Sequence, residues 1–243
     1  MFDVHCHIVY GVDDGAQTFE ESLDMLDEAY KSGVKGIVAT PHTNVPGSYM
    51  NYWNGEILEK IKRIRSAVKE KELDIKIFCG QEIFCTHETV KLLKSGDAIT
   101  LNNSKYPLIE FDFYEYSDNV YMMLEQIVAE GYIPVVAHPE RYRFVMEDKT
   151  AVDKLKNIGC LIQVNKGSIS GSFGTDAMYA ARRILDSRLA DVIASDAHSP
   201  YIRNTNMLHI HEILCEDYSF DYATLLMSLN PSLILRDKET VSY

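Results

Sequence analysis

Histidine and carboxylate side chains recur along this chain at spacings that suit metal coordination. His5 and His7 are separated by one residue, and Asp196 and His198 repeat the arrangement near the other end of the sequence. Residues i and i+2 of an extended strand point to the same side, so each pair can direct two ligand atoms at one ion. Imidazole and carboxylate groups together suit Mn²⁺, Fe²⁺ or Zn²⁺ better than Ca²⁺ or Mg²⁺, which prefer oxygen-only shells. The pattern predicts a transition-metal centre.

Residues of ligand type accompany most of the short apolar runs in the chain. The runs have the composition of buried strands and span 2–7, 36–40, 75–80, 108–112, 133–137, 160–165 and 191–195. The candidate ligands within these runs or just beyond their carboxyl ends are His5, His7, Asp14, His42, Glu82, Glu110, His138, Asp196 and His198. In α/β barrels the carboxyl ends of the strands carry the active site, so one mouth could gather the whole set.

Each candidate also has an ordinary structural explanation. A lone His-x-His pair is weak evidence for a metal, and a glutamate inside an apolar strand, such as Glu110, could form a buried salt bridge. Burying an unpaired carboxylate costs several kcal/mol, so Glu110 requires a partner of some kind. His87, His209 and His211 lie on helical stretches and are expected to be surface or packing residues. The joint placement at strand ends therefore carries the metal hypothesis.

Amphipathic helices are expected between the apolar runs. The first has a possible capping box at Thr18 and Glu21, ends at Gly33, and presents an apolar face formed by Phe19, Leu23, Leu26 and Tyr30. Further helices are predicted near 56–71, 119–130, 151–157 and 175–187. Strand–helix alternation specifies a parallel sheet with helical crossovers. The loop after the first strand lacks GxGxxG, which argues against a dinucleotide fold. Only a closed α/β barrel would bring all the strand ends together.

Composition narrows the classes of partner. The chain has 243 residues and a net charge of −12, which argues against a nucleic acid or an anionic membrane as partner. Five cysteines without a CxxC pair are typical of a reducing compartment. No apolar stretch approaches the roughly 18–20 residues of a membrane span, and the N-terminus carries no secretory signal. We expect a cytoplasmic protein without membrane insertion.

Short motifs across the chain together resemble a known superfamily. They are HCHI (5–8), DDG (13–15), ATPH (39–42), GQEI (80–83), LIEF (108–111), AHPERY (137–142), QVN (163–165) and ASDAH (194–198). In this order they resemble the polymerase-and-histidinol-phosphatase (PHP) superfamily. Within it they are similar to the manganese-dependent protein-tyrosine phosphatases of capsule and exopolysaccharide operons, the CpsB type.

This resemblance implies a fold and a set of site residues. The implied fold is a distorted TIM-like (β/α)7 barrel in a single domain over 1–243. Two or three divalent ions are implied, most often Mn²⁺, with Fe or Zn as alternatives. The first would be held by His5, His7, Glu82 and Asp196, the second by Glu82, Glu110 and His138, and the third by Asp14, His42 and His198. Arg141 and Arg203 would hold the substrate phosphate.

The implied activity is hydrolysis of phosphotyrosine in a protein. The implied substrate is the tyrosine-rich tail of a bacterial tyrosine kinase that controls polysaccharide synthesis. Divalent ions would offset the ligand carboxylates and give an acidic protein a cationic mouth. Metal coordination lowers the pKa of water toward about 7, so a metal-bound hydroxide could attack phosphorus in line. Tyrosine, with a pKa of about 10, needs little acid assistance as a leaving group. Its proton could come from a water or from His42.

Three other enzyme classes are alternatives to a metal-dependent tyrosine phosphatase. Histidinol-phosphate phosphatase uses the same metals on a small alkyl phosphate, and the motifs DDG and HPERY favour the tyrosine phosphatase over it. A barrel amidohydrolase usually needs a carboxylated lysine on strand four, where this chain has Glu110. A cysteine-based tyrosine phosphatase requires Cys-x5-Arg, and none of the five cysteines is followed by an arginine at that spacing.

The loop 43–54 carries three aromatic residues that could stack on a tyrosyl ring, or simply pack the loop onto the barrel.

Chelation distinguishes metal from thiol chemistry. A strong chelator is expected to abolish phosphatase activity and added Mn²⁺ to restore it, because hydroxide generated on the metals is the nucleophile. A thiol alkylator should have little effect, since Cys6 is expected to point away from the site. Loss of activity on alkylation, with the circular dichroism spectrum unchanged, would contradict this expectation.

Overall fold

Parallel strands surrounded by helices make up the fold. The computed structural model describes all residues from Met1 to Tyr243. The strands are β1 (Phe2–Cys6), β2 (Gly36–Ala39), β3 (His42–Thr43), β4 (Lys76–Cys79), β5 (Glu82–Phe84), β6 (Leu108–Glu110), β7 (Val135–Ala137), β8 (Leu161–Asn165) and β9 (Val192–Ala194). Every pairing between strands is parallel. The predicted parallel α/β fold is confirmed.

The strands follow their chain order around a ring. One sheet has the order β1-β2-β4 and the other β3-β5-β6-β7-β8-β9. The end of β9 then meets β1, because Asp196 N–H donates to the His5 carbonyl at 2.9 Å and His7 N–H donates to the Ala197 carbonyl at 2.9 Å. The last strand is thereby joined to the first, and the carboxyl ends of all strands face one mouth.

Two of the predicted strands are each followed by an additional short strand. The predicted run 36–40 becomes β2, after which β3 follows, and the run 75–80 becomes β4, after which β5 follows, so that nine short strands are present where seven were expected. Gly80 lies between β4 and β5, where an added Cβ would come within 2.7 Å of the Val38 side chain. A residue without a side chain therefore permits the strand to bend inward at this point. The residues His42 and Glu82 begin the new segments and pair with each other.

The core has two layers. The smaller cluster fills the inside of the ring with side chains from successive strands and is closed from below by the C-terminal segment; it comprises Val4, Val38, Leu101, Tyr106, Leu108, Val135, Ala137, Leu161, Val192, Ala194, Ile234 and Leu235. The larger cluster of 51 buried residues packs helices on the outside of the ring. The ring is thus a filled core, and only its upper end is free for chemistry.

Strand β1 contains an irregularity that strict alternation does not predict. Its pairing with β2 shifts register between Asp3 and Cys6. Val4 belongs to the inner cluster, yet the His5 side chain also turns into the mouth, where its Nδ1 meets Gln163 at 2.8 Å. Such a bulge redirects a side chain. Cys6 then packs in the outer layer, as expected.

Helices surround the ring. They are α1 (Phe19–Lys31), α2 (Gly55–Glu70), α3 (Thr89–Ser95), α4 (Ser117–Ala129), α5 (Arg143–Glu147), α6 (Ala151–Ile158), α7 (Lys166–Ile169), α8 (Thr175–Asp186), α9 (Leu208–Asp217), α10 (Phe220–Thr224) and α11 (Asn230–Ile234). Short 3₁₀ turns occur at Leu101–Asn103 and Pro139–Arg141, and a π-helical turn joins α10 to α11. The five predicted helices are α1, α2, α4, α6 and α8, whose bounds agree within two residues. No helix is long and apolar enough to cross a bilayer.

The buried face of α1 agrees only in part with the one expected. Thr18 Oγ1 accepts from Glu21 N–H as in a capping box, but the Glu21 carboxylate accepts from Gln17 N–H rather than from Thr18. Leu26 is buried, together with Ser22, Met25 and Ala29, whereas Phe19 and Leu23 are half-buried against the core and Tyr30 is exposed. Ser22 is tolerated in this layer because its hydroxyl donates to the Ile8 carbonyl at 2.6 Å. A hydrogen-bonded hydroxyl can therefore share the core-facing side of the helix with apolar residues.

Closure of the ring depends on a buried polar pair. The Asp3 carboxylate is fully buried and accepts hydrogen bonds from both the backbone N–H and the hydroxyl of Ser195. We expect Ser195→Ala to lower the free energy of unfolding by about 1–3 kcal/mol, because a buried carboxylate loses a donor. Urea denaturation would measure this loss, with Ser66→Ala on exposed α2 as the control. An equal midpoint for Ser195→Ala and the wild type would contradict the assignment.

Candidate metal centre

The nine predicted ligands meet at the carboxyl end of the ring. A cavity of about 150 Å³ opens there, lined by Asp14, His42, Glu82, Glu110, Phe113, His138, Arg141, Asp196, His198 and Arg203. His5 and His7 lie beneath it and are fully buried. The side chains lie in strands or in the segments that follow them, and both β1 and β9 with their following segments supply more than one, as the sequence predicts. The ring therefore converts positions spread over the chain into one cluster.

Four side chains converge at the floor of the cluster. The Nε2 atoms of His5 and His7 lie 3.2 Å apart, and each lies 3.1 Å from Glu82 Oε2. Asp196 Oδ1 is 3.4 Å from His5 Nε2 and 3.5 Å from His7 Nε2. Together these four residues form a group with one ligand atom from each within reach of a single ion.

Two further groups share members with the first. His42 Nδ1 lies 3.1 Å from Glu82 Oε2 and 3.4 Å from Glu110 Oε2, and His138 Nε2 lies 2.9 Å from Glu82 Oε1. His42 Nε2 and His198 Nε2 each lie 3.5 Å from Asp14 Oδ1. His42 thus directs one ring nitrogen at each group. The geometry groups the donors around three points, with His7, His42 and Glu82 each shared between two of them.

The donors fit bound cations better than they fit one another. Glu82 Oε2 is buried without a hydrogen-bond partner although imidazole nitrogens surround it. Burial opposes ionisation of Glu82, but the surrounding imidazoles outweigh it and hold its pKa well below the ordinary value. Burial, together with the Glu82 and Asp196 carboxylates, raises the pKa of Glu110 well above its ordinary value. A cation among these carboxylates would remove that repulsion, so the residues could hold divalent metals.

Residues behind the cluster orient the imidazoles. His5 Nδ1 faces Gln163 Oε1 at 2.8 Å, and His7 Nδ1 faces Asp13 Oδ2 at 2.9 Å. His198 Nδ1 meets the Asp196 carbonyl at 3.0 Å. When Nδ1 donates its proton to such an acceptor, Nε2 is left with a free lone pair for a metal. The same three Nε2 atoms point into the cluster.

Asp13 is a functional residue that the ligand pattern did not identify. It is buried, unlike its neighbour Asp14, and its Oδ2 also accepts from His42 N–H at 2.9 Å. Gly15 follows because an added Cβ would collide with the His7 backbone. The adjacent acids and glycine of the DDG motif were visible in the sequence, but which aspartate supports and which one faces the cavity depends on the loop conformation.

Two residues at the site have a left-handed backbone. His138 has φ of 34° and Asp196 has φ of 49°. Non-glycine residues rarely adopt this conformation, and in proteins it clusters at functional sites. His138 directly follows β7 and Asp196 lies two residues after the end of β9, and at both positions the turn brings the side chain over the mouth. The backbone strain is therefore located where it aims a candidate ligand.

Both predicted arginines reach the mouth. Arg203 Nη2 lies 2.6 Å from Asp196 Oδ2, and Arg141 Nη1 lies 3.4 Å from the same oxygen. The Arg141 guanidinium is held between two rings, at 4.4 Å from the Phe113 centroid and 4.3 Å from the Phe173 centroid. Cation–π contacts of this kind fix a guanidinium while leaving its N–H groups free for an anion. Neither phenylalanine was identified from the sequence, because each lies on a loop without a ligand motif.

The aromatic residues of the loop 43–54 lie in two different environments. The Tyr49 ring is stacked on His42 with centroids 6.0 Å apart and planes 7° from parallel, so it stands at the rim of the mouth. Trp53 instead packs its side chain against the outer core, and its backbone N–H donates to the Asp97 carbonyl at 2.7 Å. The packing alternative is therefore correct for Trp53.

The environment of Cys6 argues against its acting as a nucleophile. Cys6 is fully buried in the outer layer. Burial raises the pKa of its thiol well above the ordinary value, with the Asp3 carboxylate adding to the effect. A nucleophilic cysteine requires the opposite, an accessible thiolate of low pKa.

Fold and site together define a class: parallel α/β proteins that gather histidines and carboxylates for divalent metals at the carboxyl ends of their strands. Residues 1–236 match the family model described as capsular polysaccharide synthesis, CpsB/CapC. The chain belongs to this family.

Individual relatives agree with the family assignment. The chain is 34% identical over 243 residues to the tyrosine-protein phosphatase CpsB of Streptococcus pneumoniae, covering 98% of this chain and 99% of the relative. It is 31% identical over 238 residues to the tyrosine-protein phosphatase YwqE of Bacillus subtilis, covering 98% and 92%. Solved structures of YwqE from Bacillus subtilis and CpsB from Streptococcus pneumoniae are described as unique metal-dependent tyrosine phosphatases. The matching chain has a TM-score of 0.93 and 30% identity, covering 100% of this chain and 97% of that one.

The supporting role of Asp13 can be measured by metal affinity. Asp13→Asn is expected to weaken divalent-metal binding by about 10- to 100-fold, because His7 loses a charged acceptor at Nδ1. Calorimetric titration of metal-free protein with Mn²⁺ would give the affinity. Asp27→Asn on α1 serves as the matched control. Unchanged affinity in a folded Asp13→Asn protein would exclude the role.

Proposed function

We propose that this chain is a metal-dependent protein-tyrosine phosphatase that uses no catalytic cysteine. The observation that carries the proposal is the convergence of two arginines, Arg141 and Arg203, on the rim of a cluster whose Glu82 Oε2 faces imidazoles without a partner. A mouth that combines a cation-binding floor with guanidinium groups at its edge suits a phosphate monoester. The family relatives named as tyrosine-protein phosphatases support this choice.

We assign the metal-ligand role to the nine residues of the cluster. The floor group, His5, His7, Glu82 and Asp196, would hold one ion. Glu82 would be shared with a second ion bound by Glu110 and His138, and Asp14, His42 and His198 would hold a third. Bound divalent ions supply Lewis acidity and a hydroxide nucleophile near neutral pH. A mixed set of imidazole and carboxylate donors suits Mn²⁺, Fe²⁺ or Zn²⁺, and the resemblance to manganese-dependent phosphatases favours Mn²⁺ among them.

The two arginines would bind the phosphoryl oxygens of the substrate. Their present contacts with Asp196 Oδ2 place two guanidinium groups at one edge of the cavity. Each guanidinium offers several N–H donors in a planar fork, so both could grip equatorial oxygens as negative charge develops on them. The rings of Phe113 and Phe173 keep Arg141 from folding away from this position.

The tyrosyl oxygen needs little proton donation from the protein as it leaves. Burial lowers the pKa of His42, and its ring lies at the cavity wall beside Tyr49. Because both ring nitrogens of His42 face ligand carboxylates, a nearby water is the better source of the proton for a leaving group whose own pKa is about 10.

An aromatic substrate fits the rim. Tyr49 and Phe113 stand at the mouth, and the exposed rings of Tyr114 and Tyr116 lie on the adjoining loop. A cavity of about 150 Å³ accommodates a phosphoryl group while the tyrosyl ring and its peptide remain on the surface. We infer that the substrate is a tyrosine-rich segment of a bacterial tyrosine kinase that regulates polysaccharide synthesis. We propose that the chain acts in the cytoplasm, where unpaired cysteines persist.

Two substitutions separate ligand from substrate-binding roles. Glu82→Gln should lose both metal and activity, because an amide replaces the shared carboxylate. Arg141→Ala should keep the metal but lose about 2–4 kcal/mol of transition-state stabilisation, by analogy with removal of one oxyanion donor. Metal content and kcat/KM would be measured on both. Exposed Glu125→Gln and Arg143→Ala are the matched controls. Normal turnover by Arg141→Ala would exclude its role.

Substrate class distinguishes the proposal from its alternative. Phosphotyrosine peptides should be cleaved far better than phosphoserine peptides or histidinol phosphate, because an aryl leaving group and the aromatic rim favour them. Comparison of kcat/KM for the three at saturating Mn²⁺ is the direct measurement. A clear preference for histidinol phosphate would instead identify a small-molecule phosphatase.

A further inference from the structure

A second cavity lies beside the candidate metal centre, and the proposed reaction does not use it. Its volume is about 470 Å³, compared with about 150 Å³ for the mouth. Arg203 lines both spaces, so a group bound in one is a close neighbour of a group bound in the other. We call this space the side cavity; its lining includes Lys166, Ser170, Ser172, Ile202, Arg203 and His209.

The side cavity is cationic although the protein is acidic. The charged residues that line it are Lys166 and Arg203, and no aspartate or glutamate lines it, in a chain whose net charge is −12. The acids nearest to Lys166 are engaged elsewhere. Asp3 accepts from Ser195, and Glu28 accepts from Asn206 at 3.3 Å. The local charge is therefore opposite to that of the molecule as a whole, which favours an anionic ligand.

Lys166 is held in place without an anionic partner. Its Nζ donates to Asn204 Oδ1 at 2.8 Å and to the Asn206 carbonyl at 2.7 Å, which leaves one of the three ammonium N–H groups. Burial lowers the pKa of Lys166 to about 8. A desolvated ammonium that is bonded only to neutral oxygens gains from a carboxylate placed against its remaining N–H.

The Arg203 side chain also has a hydrogen-bond donor without a partner. Its Nη2 faces Asp196 Oδ2, but its Nε is buried without a hydrogen-bond partner. Its guanidinium also lies 5.4 Å from the Phe173 centroid, and Phe173 lines the side cavity as well. Arg203 and Phe173 thus form the wall between the mouth and the side cavity.

We propose that the side cavity binds a carboxylate side chain of the substrate segment that carries the phosphotyrosine. This inference rests on the proposed phosphatase function and adds a preference for acidic residues flanking the target tyrosine. A single free ammonium N–H with serine hydroxyls suits a monoanion better than a second phosphoryl dianion. Tyr201 and Ile202, which are 74% and 93% exposed, supply apolar surface beside the cavity for the intervening peptide.

Paired peptides test the preference. Each pair has one phosphotyrosine and either glutamate or glutamine at flanking positions, scanned one position at a time. For wild-type enzyme at saturating Mn²⁺, kcat/KM for one glutamate peptide should exceed its glutamine partner by about three- to tenfold, the effect of one partly screened charge contact. Ser172→Asp adds a carboxylate at an exposed lining position and should reduce that ratio to about one. Ser170→Asp repeats the test from a second position.

Matched variants separate a local charge from general effects. Ser172→Asn should keep the ratio, because it adds similar bulk without charge. Ser66→Asp on α2 should also keep the ratio, because it adds the same charge at a position that does not line the side cavity. A ratio of one for wild-type enzyme at every position, or a ratio that survives both Ser172→Asp and Ser170→Asp, would overturn the proposal.

Failure of the phosphatase function would be recognised independently. Wild-type turnover of free phosphotyrosine reports on that function alone. Fluorescence anisotropy of the labelled glutamate and glutamine peptides reports on the side cavity without turnover. Tighter binding of the glutamate peptide that is lost in Ser172→Asp would support the cavity even if no phosphate were released. Equal binding of the two peptides would exclude it.

Discussion

The buried carboxylate of Glu82 is the constraint on which the site depends. One of its oxygens lies 3.1 Å from nitrogens of three different imidazoles and has no hydrogen-bond partner. A carboxylate buried in this way is costly unless positive charge compensates it. The bend at Gly80, which starts a new strand at Glu82, brings the carboxylate to the centre of the ring. Imidazoles supplied by other strands then surround it.

The Asp196 carboxylate links the floor of the cluster to the arginines at its rim. Asp196 turns one oxygen toward His5 and His7 and the other toward Arg203 and Arg141. It also accepts from Asn165 Nδ2 at 2.6 Å. A single carboxylate therefore joins the cation-binding floor to the guanidinium rim. Because Asp196 follows β9 and its N–H donates to β1, closure of the ring also positions the carboxylate that both arginines contact.

The local arrangement of charge bears on how an acidic protein could accept anions. The mouth has two arginines beside four carboxylates, which bound divalent ions would offset, and the side cavity has Lys166 and Arg203 without any lining acid. Arg203 belongs to both. Cationic groups concentrated in clefts act at short range, whereas the acidic exterior is screened by salt. Net charge alone therefore excludes partners with extended anionic surfaces and says little about one phosphorylated segment.

Much of the fold and the candidate site was predictable from sequence, because apolar runs, helix caps and ligand spacing are local signals. The parallel α/β class and five helices followed from the alternation of apolar runs with amphipathic stretches, and the gathering of the nine ligand-type residues at one mouth followed from their place at strand ends. The two additional short strands, the bulge in β1 and the burial of Ser22 in α1 did not, since each depends on a neighbour in space such as Val38, Gln163 or Ile8. The support of His7 by Asp13 rather than Asp14, the two rings around Arg141 and the side cavity were likewise decided by tertiary structure. Residue types determine which atoms can bind a metal or a phosphate, but only packing decides which of them meet.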